Sequence, residues 1–190
     1  MDLVIASNNK NKIKEIKAIL KGKFEHIYSL SEQNINVEIE ETGATFKQNA
    51  LIKANAICKL CGLPTLADDS GLCVDALNNA PGVYSARYAG EPCNDANNNT
   101  LLLKNLQNCN NRKASFVSVV ALVYPNGATY YGEGKIEGEI LHEYRGDNGF
   151  GYDPLFYCYQ LDKTFAEADG EQKNKVSHRA QALQNLLKQL

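Results

Sequence analysis

Two adjacent carboxylates, Asp68 and Asp69, lie within residues 66–75 (LADDSGLCVD), a stretch whose other residues are typical of a buried strand. Neighbouring negative charges in a buried position cost free energy unless positive groups meet them. Because side chains alternate along a strand, the two carboxylates are expected to point to opposite faces of a sheet. Only one of them is therefore expected to join a given site, and the other needs a basic partner or backbone donors.

Strand-like and helix-like segments alternate around this pair, which indicates the α/β class. Residues 3–7 (LVIAS) predict a strand, and a helix with an apolar stripe follows it. Thr45 and Gln48 have the spacing of a capping box and predict the start of a second helix. Gly62 is expected to end that helix, and the chain then returns to strand character.

The second half of the sequence predicts an antiparallel arrangement. Residues 114–124 and 129–134 flank Asn126-Gly127, which is a strong hairpin pattern, and residues 135–141 (KIEGEIL) predict a further strand. Asp95 is expected to cap a leucine-bearing helix, and the asparagine-rich NDANNN stretch around it is expected at the surface. The chain of 190 residues is expected to form one domain, 1–190.

Composition excludes several classes of protein. The formal net charge is −2, so no basic field attracts nucleic acid. No apolar run is long enough for a membrane span, and the start of the chain lacks the pattern of a signal peptide. The six cysteines have no zinc-finger spacing, so we expect reduced thiols and a cytoplasmic protein.

The loop SNNKNK joins the first predicted strand to a helix N-terminus. Free backbone N–H groups and the helix dipole favour an anion there, and two lysines add positive charge. A solvated lysine-rich helix is the competing interpretation. The candidate phosphate-binding residues of this loop are Ser7, Asn8, Asn9, Lys10, Asn11 and Lys12.

An aspartate at a strand end, together with a glutamate from another loop, makes an oxygen-only ligand set suited to Mg²⁺ and a phosphate-bearing substrate. Residues 38–43 (EIEETG) offer such glutamates just before the capped helix. Lys53 flanks the apolar stripe of that helix, and its ammonium is expected to reach toward one helix end. An ordinary solvated glutamate cluster and a surface lysine are the alternatives.

A glycine-rich loop, GFGYDP, and a later segment, KNKVSHR, form the last candidate group. Phe150 and Tyr152 are suited to stacking on a nucleobase. Asp153, His178 and Arg179 are suited to reading its hydrogen-bonding edge, although for His178 taken singly a capping or surface role near a helix start is favoured.

Taken together and in this order, the blocks resemble the inosine/xanthosine triphosphate pyrophosphatase family, which hydrolyses noncanonical purine nucleoside triphosphates. The resemblance covers nearly the whole chain, and ADDSGLCVDAL and PGVYSARYAG are its most specific blocks. The blocks are SNNKNK (7–12), ETGATFKQNALIKA (41–54), ADDSGLCVDAL (67–77), PGVYSARYAG (81–90), GFGYDPLF (149–156) and KNKVSHRAQAL (173–183). Gln48 departs from the glutamate frequent in the family, and we expect capping to survive.

The resemblance implies a fold, a reaction and a set of roles. The fold would be an elongated mixed α/β sheet with two lobes and a central cleft, commonly as a homodimer. Water would attack the α-phosphorus of the nucleotide and release pyrophosphate, with Asp69 as general base and Mg²⁺ held by Asp69 and either Glu40 or Glu41. Residues 7–12 with Lys53 and Lys173 would bind the triphosphate. The other substrate-binding residues would be Ser70, Phe150, Gly151, Tyr152, Asp153, His178 and Arg179.

Two alternatives remain at this stage. The related septum-inhibitor nucleotide pyrophosphatases share the implied fold but prefer other bases, and they lack the GFGYDP and SHR blocks. A nucleotide sensor without turnover is the alternative from a different class. The retained Glu41, Lys53 and Asp69 argue against a sensor.

Overall fold

The computed structural model describes all residues from 1 to 190. The strands are β1 (Leu3–Ile5), β2 (Ile27–Ser29), β3 (Thr65–Val74), β4 (Lys113–Val123), β5 (Thr129–Ile140), β6 (Phe156–Cys158) and β7 (Lys163–Thr164). The helices are α1 (Lys10–Ile19), α2 (Phe46–Cys61), α3 (Asp95–Asn105), α4 (Gly170–Val176) and α5 (His178–Leu187). None of these helices is long and apolar enough to cross a membrane.

All seven strands belong to one mixed sheet, in the order β2-β1-β3-β4-β5-β6-β7. β1 is parallel to both β2 and β3, whereas β6 is antiparallel to β5 and β7. The predicted α/β class with a mixed sheet is therefore confirmed. The hairpin prediction is also confirmed, because β4 and β5 are neighbours joined by a tight turn in which Gly127 has a φ of +89°.

The capping box at the start of α2 is present as predicted. The Thr45 hydroxyl accepts a hydrogen bond from the Gln48 backbone N–H at 3.2 Å, and the Gln48 side chain accepts from the Thr45 N–H at 3.2 Å. Glutamine therefore caps this helix without the charge of a glutamate. Gly62 ends the helix in the left-handed region, as its sequence position indicates.

Three local predictions were wrong. The two strands expected over 129–134 and 135–141 are one continuous strand, β5. Asn94 caps α3, and Asp95 is instead the first helical residue. Asn98 and Asn99 of the NDANNN stretch are buried rather than at the surface, because their amides bond to backbone groups of neighbouring loops.

The chain divides into two compact units. Unit 1 comprises Met1–Asp69, Ser118–Gly134 and Arg179–Leu190, and unit 2 comprises Ser70–Val117 and Lys135–His178. The prediction of one domain with two lobes and a central cleft stays a prediction.

Unit 1 buries apolar side chains on both faces of its strands. On one face, Leu3, Ile5 and Leu66 pack with residues of α1 and α5. On the other face, Val4 and Ala67 pack with residues of α2. Successive side chains along β1 and β3 therefore pack alternately against the α1 and α5 layer and against α2.

Unit 2 has a core rich in aromatic side chains. The ring of Phe116 in β4 lies 4.7 Å from that of Phe156 in an edge-on arrangement and 5.8 Å from that of Phe165 in a stacked one. Leu72, Leu102 and other residues from β3, α3 and β5 complete this core. Several aromatic rings are therefore fixed against one another before any ligand is considered.

The backbone of β5 approaches α5 closely at Gly132. A Cβ atom at this position would lie 2.0 Å from the Ala182 carbonyl oxygen and 2.7 Å from the Leu186 nitrogen. Backbone atoms of a packed helix cannot move aside as a flexible side chain can. Gly132 is thus required for the packing of α5 in unit 1.

We predict that Gly132→Ala lowers the free energy of unfolding by at least ~2 kcal/mol, because overpacking forces the helix off the strand. Gly170→Ala is the matched control, since a Cβ there would meet nothing within 4 Å. Chemical denaturation of both variants measures the difference. Equal stabilities of the two variants would contradict the close approach.

Candidate active site

Asp68 lies at the centre of a buried ion-pair network in unit 1. Its Oδ2 atom is 2.8 Å from the Lys12 ammonium and 3.3 Å from Nη2 of Arg179, and its Oδ1 accepts a hydrogen bond from the Ser118 hydroxyl at 2.6 Å. Arg179 also pairs with Glu15 of α1. Burial alone would raise the pKa of Asp68, but the charges of Arg179 and Lys12 hold it well below its usual value of 3.8. Asp68 is therefore a buried anchor that carries its negative charge at neutral pH.

Asp69 points to the opposite face and meets a different cation. Its Oδ1 is 3.3 Å from the Lys53 ammonium, which also lies 2.6 Å from Oε1 of Glu41 and donates to the Asp68 carbonyl at 2.9 Å. The Oδ2 atom of Asp69 is buried and has no hydrogen-bond partner within the protein. Two carboxylates therefore converge on one lysine of α2, and one carboxylate oxygen remains uncommitted.

The pKa values on this face shift upward. Burial raises the pKa of Asp69, and the charges of Glu41 and Asp68 add to that effect, while Lys53 and Lys12 oppose it without cancelling it. Burial alone would lower the pKa of Lys53, but the charges of Asp69 and Glu41 outweigh it, so that pKa rises. Asp69 is thus the more readily protonated member of the adjacent pair.

The position of Glu41 follows from alternation along the segment before α2. Ile35, Val37 and Ile39 face the core of unit 1, and Glu41 continues the same face. Glu40 is exposed on the other side. Of the two glutamates that the sequence left open, Glu41 is therefore the one beside Lys53 and Asp69.

The loop 7–12 leads into the start of α1, as predicted. Side chains of this loop accept hydrogen bonds from backbone N–H groups of the loop and of the first turn of α1. Asn9 is the N-cap, and its Oδ1 accepts hydrogen bonds from the N–H groups of Asn11 at 3.0 Å and Lys12 at 3.1 Å. The Ser7 hydroxyl accepts from the Asn9 N–H at 3.1 Å. Asn8 and Lys10 are exposed, whereas Lys12 is directed to Asp68.

The predicted base-binding residues of the GFGYDP loop lie in unit 2, together with Lys173. The Asp153 carboxylate is 2.7 Å from the Lys173 ammonium and accepts from the Phe150 N–H at 3.0 Å. The same ammonium lies 4.8 Å from the centre of the Phe150 ring. The expected role of Lys173 among the phosphate-binding lysines stays a prediction; in the structure its ammonium contacts Asp153 and Phe150.

Gly151 and Tyr152 of this loop form hydrogen bonds with other parts of unit 2. The Gly151 N–H donates to Asp95 at 2.8 Å, and its carbonyl accepts from Asn99 at 2.8 Å. Tyr152 is buried, and its hydroxyl donates to the Ser85 carbonyl at 2.6 Å. Its ring is therefore a core element, in contrast to the half-buried ring of Phe150.

Comparisons with known proteins show the family of this chain. The model of the Ham1 family matches residues 3–189. The chain belongs to the Ham1 family. A protein named dITP/XTP pyrophosphatase from Desulforamulus reducens is 49% identical over 189 residues, covering 98% of this chain and 94% of that one. A Ham1 protein structure from Staphylococcus aureus has a TM-score of 0.87 at 45% identity, covering 100% and 97% of the two chains.

A second solved Ham1 structure, from Coxiella burnetii, covers 100% of both chains with a TM-score of 0.89 and 44% identity. Membership of the Ham1 family confirms the resemblance drawn from the sequence blocks. The mixed sheet described above is accordingly the fold of this family. The family assignment does not depend on any single residue, since the match extends over almost the whole chain.

Within this Ham1 fold, the SHR block contributes to both units. His178 lies in unit 2, where its ring stacks on Phe116 at 4.8 Å with an interplanar angle of 12°. Arg179 is 1% exposed in unit 1 and is engaged by Asp68 and Glu15. The predicted role of both residues in binding the base stays a prediction, as does that of the partly exposed Ser70.

Three residues of the site were missed by the sequence reasoning. Glu15 and Ser118 hold Arg179 and Asp68, and Asn49 contacts the loop that carries Glu41. Glu15 looks like an ordinary charged residue of a lysine-rich helix, and Ser118 interrupts an apolar strand. A polar residue in such a strand was the available indication that a buried polar partner lies opposite.

We predict that Asp68→Asn lowers the free energy of unfolding at pH 7 by ~3–5 kcal/mol, because it leaves buried cations without their counter-charge. The folded pKa of Asp68 is depressed, so its contribution is complete above the unfolded value near 3.8 and is lost as the pH falls further. The stability gap between wild type and variant should therefore narrow only below about pH 3.8.

Denaturant unfolding at several pH values measures this gap. Glu25→Gln is the matched control, because Glu25 forms an exposed pair with the N-terminal amine and should contribute little. An Asp68→Asn variant as stable as this control would show that the buried network does not stabilise the fold.

Proposed function

We propose that this protein hydrolyses noncanonical purine nucleoside triphosphates, such as ITP, dITP and XTP, to the monophosphate and pyrophosphate. Relatives named dITP/XTP pyrophosphatase that are 47–50% identical support this proposal. The observation that carries it is the convergence of Glu41 and Asp69 on Lys53, with an uncommitted buried oxygen on Asp69.

The donor set suits Mg²⁺. Magnesium ions in nucleotide enzymes are held by one or two carboxylates, with phosphate and water oxygens as the remaining ligands. The protein has no group of three or more acidic, histidine or cysteine side chains arranged to hold a metal by itself. Glu41 and Asp69, with the unpartnered Oδ2, therefore fit an ion that also binds the substrate. When bound, Mg²⁺ neutralises charge on the phosphates.

The side chains of unit 1 have distinct tasks in the proposed reaction. Asp69 accepts a proton from water as the water oxygen bonds to the α-phosphorus. The bond from that phosphorus to the α–β bridging oxygen breaks, and pyrophosphate leaves with the electron pair. The raised pKa of Asp69 favours proton acceptance. Lys53, Lys12 and the loop 7–12 balance the negative charge that develops on the phosphates.

The side chains proposed for the base differ in chemistry from those proposed for the phosphates. In unit 2, Phe150 offers a half-buried aromatic ring, and Asp153 and His178 offer charged or polar groups. Donors directed at the 6-oxo oxygen of inosine or xanthosine would meet an amino group in adenosine and be left unpaired. We further propose a cytoplasmic homodimer that acts on free nucleotides and binds neither nucleic acid nor membranes.

A panel of nucleotides assayed with and without Mg²⁺ tests the proposed function. We expect kcat/KM to be much higher for ITP and XTP than for GTP, and lowest for ATP and the pyrimidine triphosphates. Rejection through unpaired polar groups reaches ~10⁴-fold. Products are resolved as pyrophosphate or phosphate. A preference for ATP, or release of single phosphates, would contradict the proposal.

Asp69→Asn is expected to lower the turnover number by ~10²–10⁴-fold, because the amide cannot accept the proton of the attacking water. The variant keeps the shape of the side chain, so its thermal unfolding should stay close to that of the wild type. Single-turnover kinetics with ITP measure the effect on chemistry apart from product release. Turnover within a few-fold of wild type would remove Asp69 from the role of general base.

A further inference from the structure

Asn49 is a fully buried amide near the start of α2, and none of the roles assigned above includes it. Its Oδ1 atom accepts a hydrogen bond from the Gly43 N–H at 2.8 Å. Its Nδ2 atom is buried and has no hydrogen-bond partner in the protein. A buried polar atom without a partner destabilises a fold, so this side chain is unfavourable as a simple filler of the core.

The contact between Asn49 and Gly43 is tight on both sides. A Cβ atom at Gly43 would lie 2.6 Å from Oδ1 of Asn49, 2.7 Å from Cβ of Gln48 and 3.0 Å from the Asn49 nitrogen. Only glycine therefore lets the loop approach the helix this closely. At Gly43 the loop is held against α2 by this hydrogen bond and by the absence of a side chain, and the next residue, Ala44, donates its N–H to the Gln48 side chain at 2.8 Å.

Helix capping does not account for this contact. The Thr45 hydroxyl and the Gln48 side chain already bond the free backbone groups at the start of α2, in the reciprocal pattern of a capping box. The Asn49 side chain instead bonds an amide that lies outside the helix, six residues earlier in the chain. Its partner belongs to the loop that leads away from Glu41.

Glu41 and Lys53 are therefore both positioned by α2, one through the preceding loop and the other as a residue of the helix. Lys53 extends from α2 itself, one turn after Asn49 on the same helix face. Glu41 precedes Gly43 by two residues, and its Oε1 lies 2.6 Å from the Lys53 ammonium. Releasing Gly43 from Asn49 would free the backbone that sets the position of the Glu41 carboxylate.

We propose that Asn49 is a positioning residue for the metal site, which holds Glu41 in place through the Gly43 N–H. The inference rests on the proposed role of Glu41 and Asp69 as ligands of a divalent cation. Partners that orient a metal ligand typically contribute 10–100-fold to metal affinity or activity, and Asn49 acts on Glu41 in this way.

The test measures metal affinity as well as turnover. Asn49→Leu keeps the approximate size of the side chain and removes the acceptor for Gly43. Gly43→Ala breaks the same contact from the loop side and leaves the amide intact. Asn55→Leu is the matched control, since Asn55 lies on the same helix beside Cys58 and Tyr124 and away from the loop.

We expect Asn49→Leu and Gly43→Ala each to raise the Mg²⁺ concentration for half-maximal ITP hydrolysis by ~10–100-fold. Both should also weaken Mn²⁺ binding to the nucleotide-free protein, measured by electron paramagnetic resonance. Asn55→Leu should change neither quantity. The two substitutions break the same contact. The double variant should therefore bind the metal only slightly less tightly than the single variant with the lower metal affinity.

The inference is overturned if the folded variants have lower turnover or lower thermal stability but the metal affinity of the wild type. Should Asn49→Leu fail to fold, Gly43→Ala alone decides the matter by the same two measurements. A wild type whose activity does not depend on a divalent metal would reject the proposed function of Glu41 and Asp69, and the role of Asn49 with it. That failure is recognised from the wild type alone.

Discussion

The alternation of side chains along β3 is the constraint on which the site of unit 1 depends. Leu66 and Asp68 point toward α1 and α5, while Ala67 and Asp69 point toward α2. Each carboxylate can therefore have its own cations, although their Cα atoms are adjacent. If both pointed to one face, their repulsion would raise the pKa of at least one of them far more strongly. A two-residue sequence thus supplies a structural anchor and a candidate base, separated by the thickness of the sheet.

Features encoded by local contacts were predictable from the sequence. The capping box of Thr45 and Gln48 and the hairpin around Gly127 depend on residues within a few positions of one another, and both are present as expected. The opposite directions of Asp68 and Asp69 follow from strand periodicity in the same way. The family blocks were recognisable for a related reason, since each block is a short continuous segment.

Features that depend on long-range packing were not predictable. Asn98 and Asn99 look like a polar surface run, yet they are buried because loops far along the chain offer backbone partners to their amides. Arg179 was expected to face a nucleobase, and its pairing with Glu15 joins residues 164 positions apart. Periodicity indicates that a side chain is inward or outward, but it does not indicate which element it meets there.

The two kinds of cation in unit 1 suit two different tasks. Arg179 presents a planar guanidinium whose donors are fixed relative to one another, and it holds Asp68 and Glu15 in a buried, fully charged arrangement. Lys53 presents a single ammonium, shared among Glu41, Asp69 and a backbone carbonyl. An ammonium on a flexible stem can shift among several oxygens, as the proposed binding of a cation and a polyphosphate beside it would require. The pKa shifts of Asp68 and Asp69 are opposite because burial raises both, but only at Asp68 do the charges of Arg179 and Lys12 outweigh it; at Asp69 burial, with the charges of Glu41 and Asp68, prevails over Lys53 and Lys12.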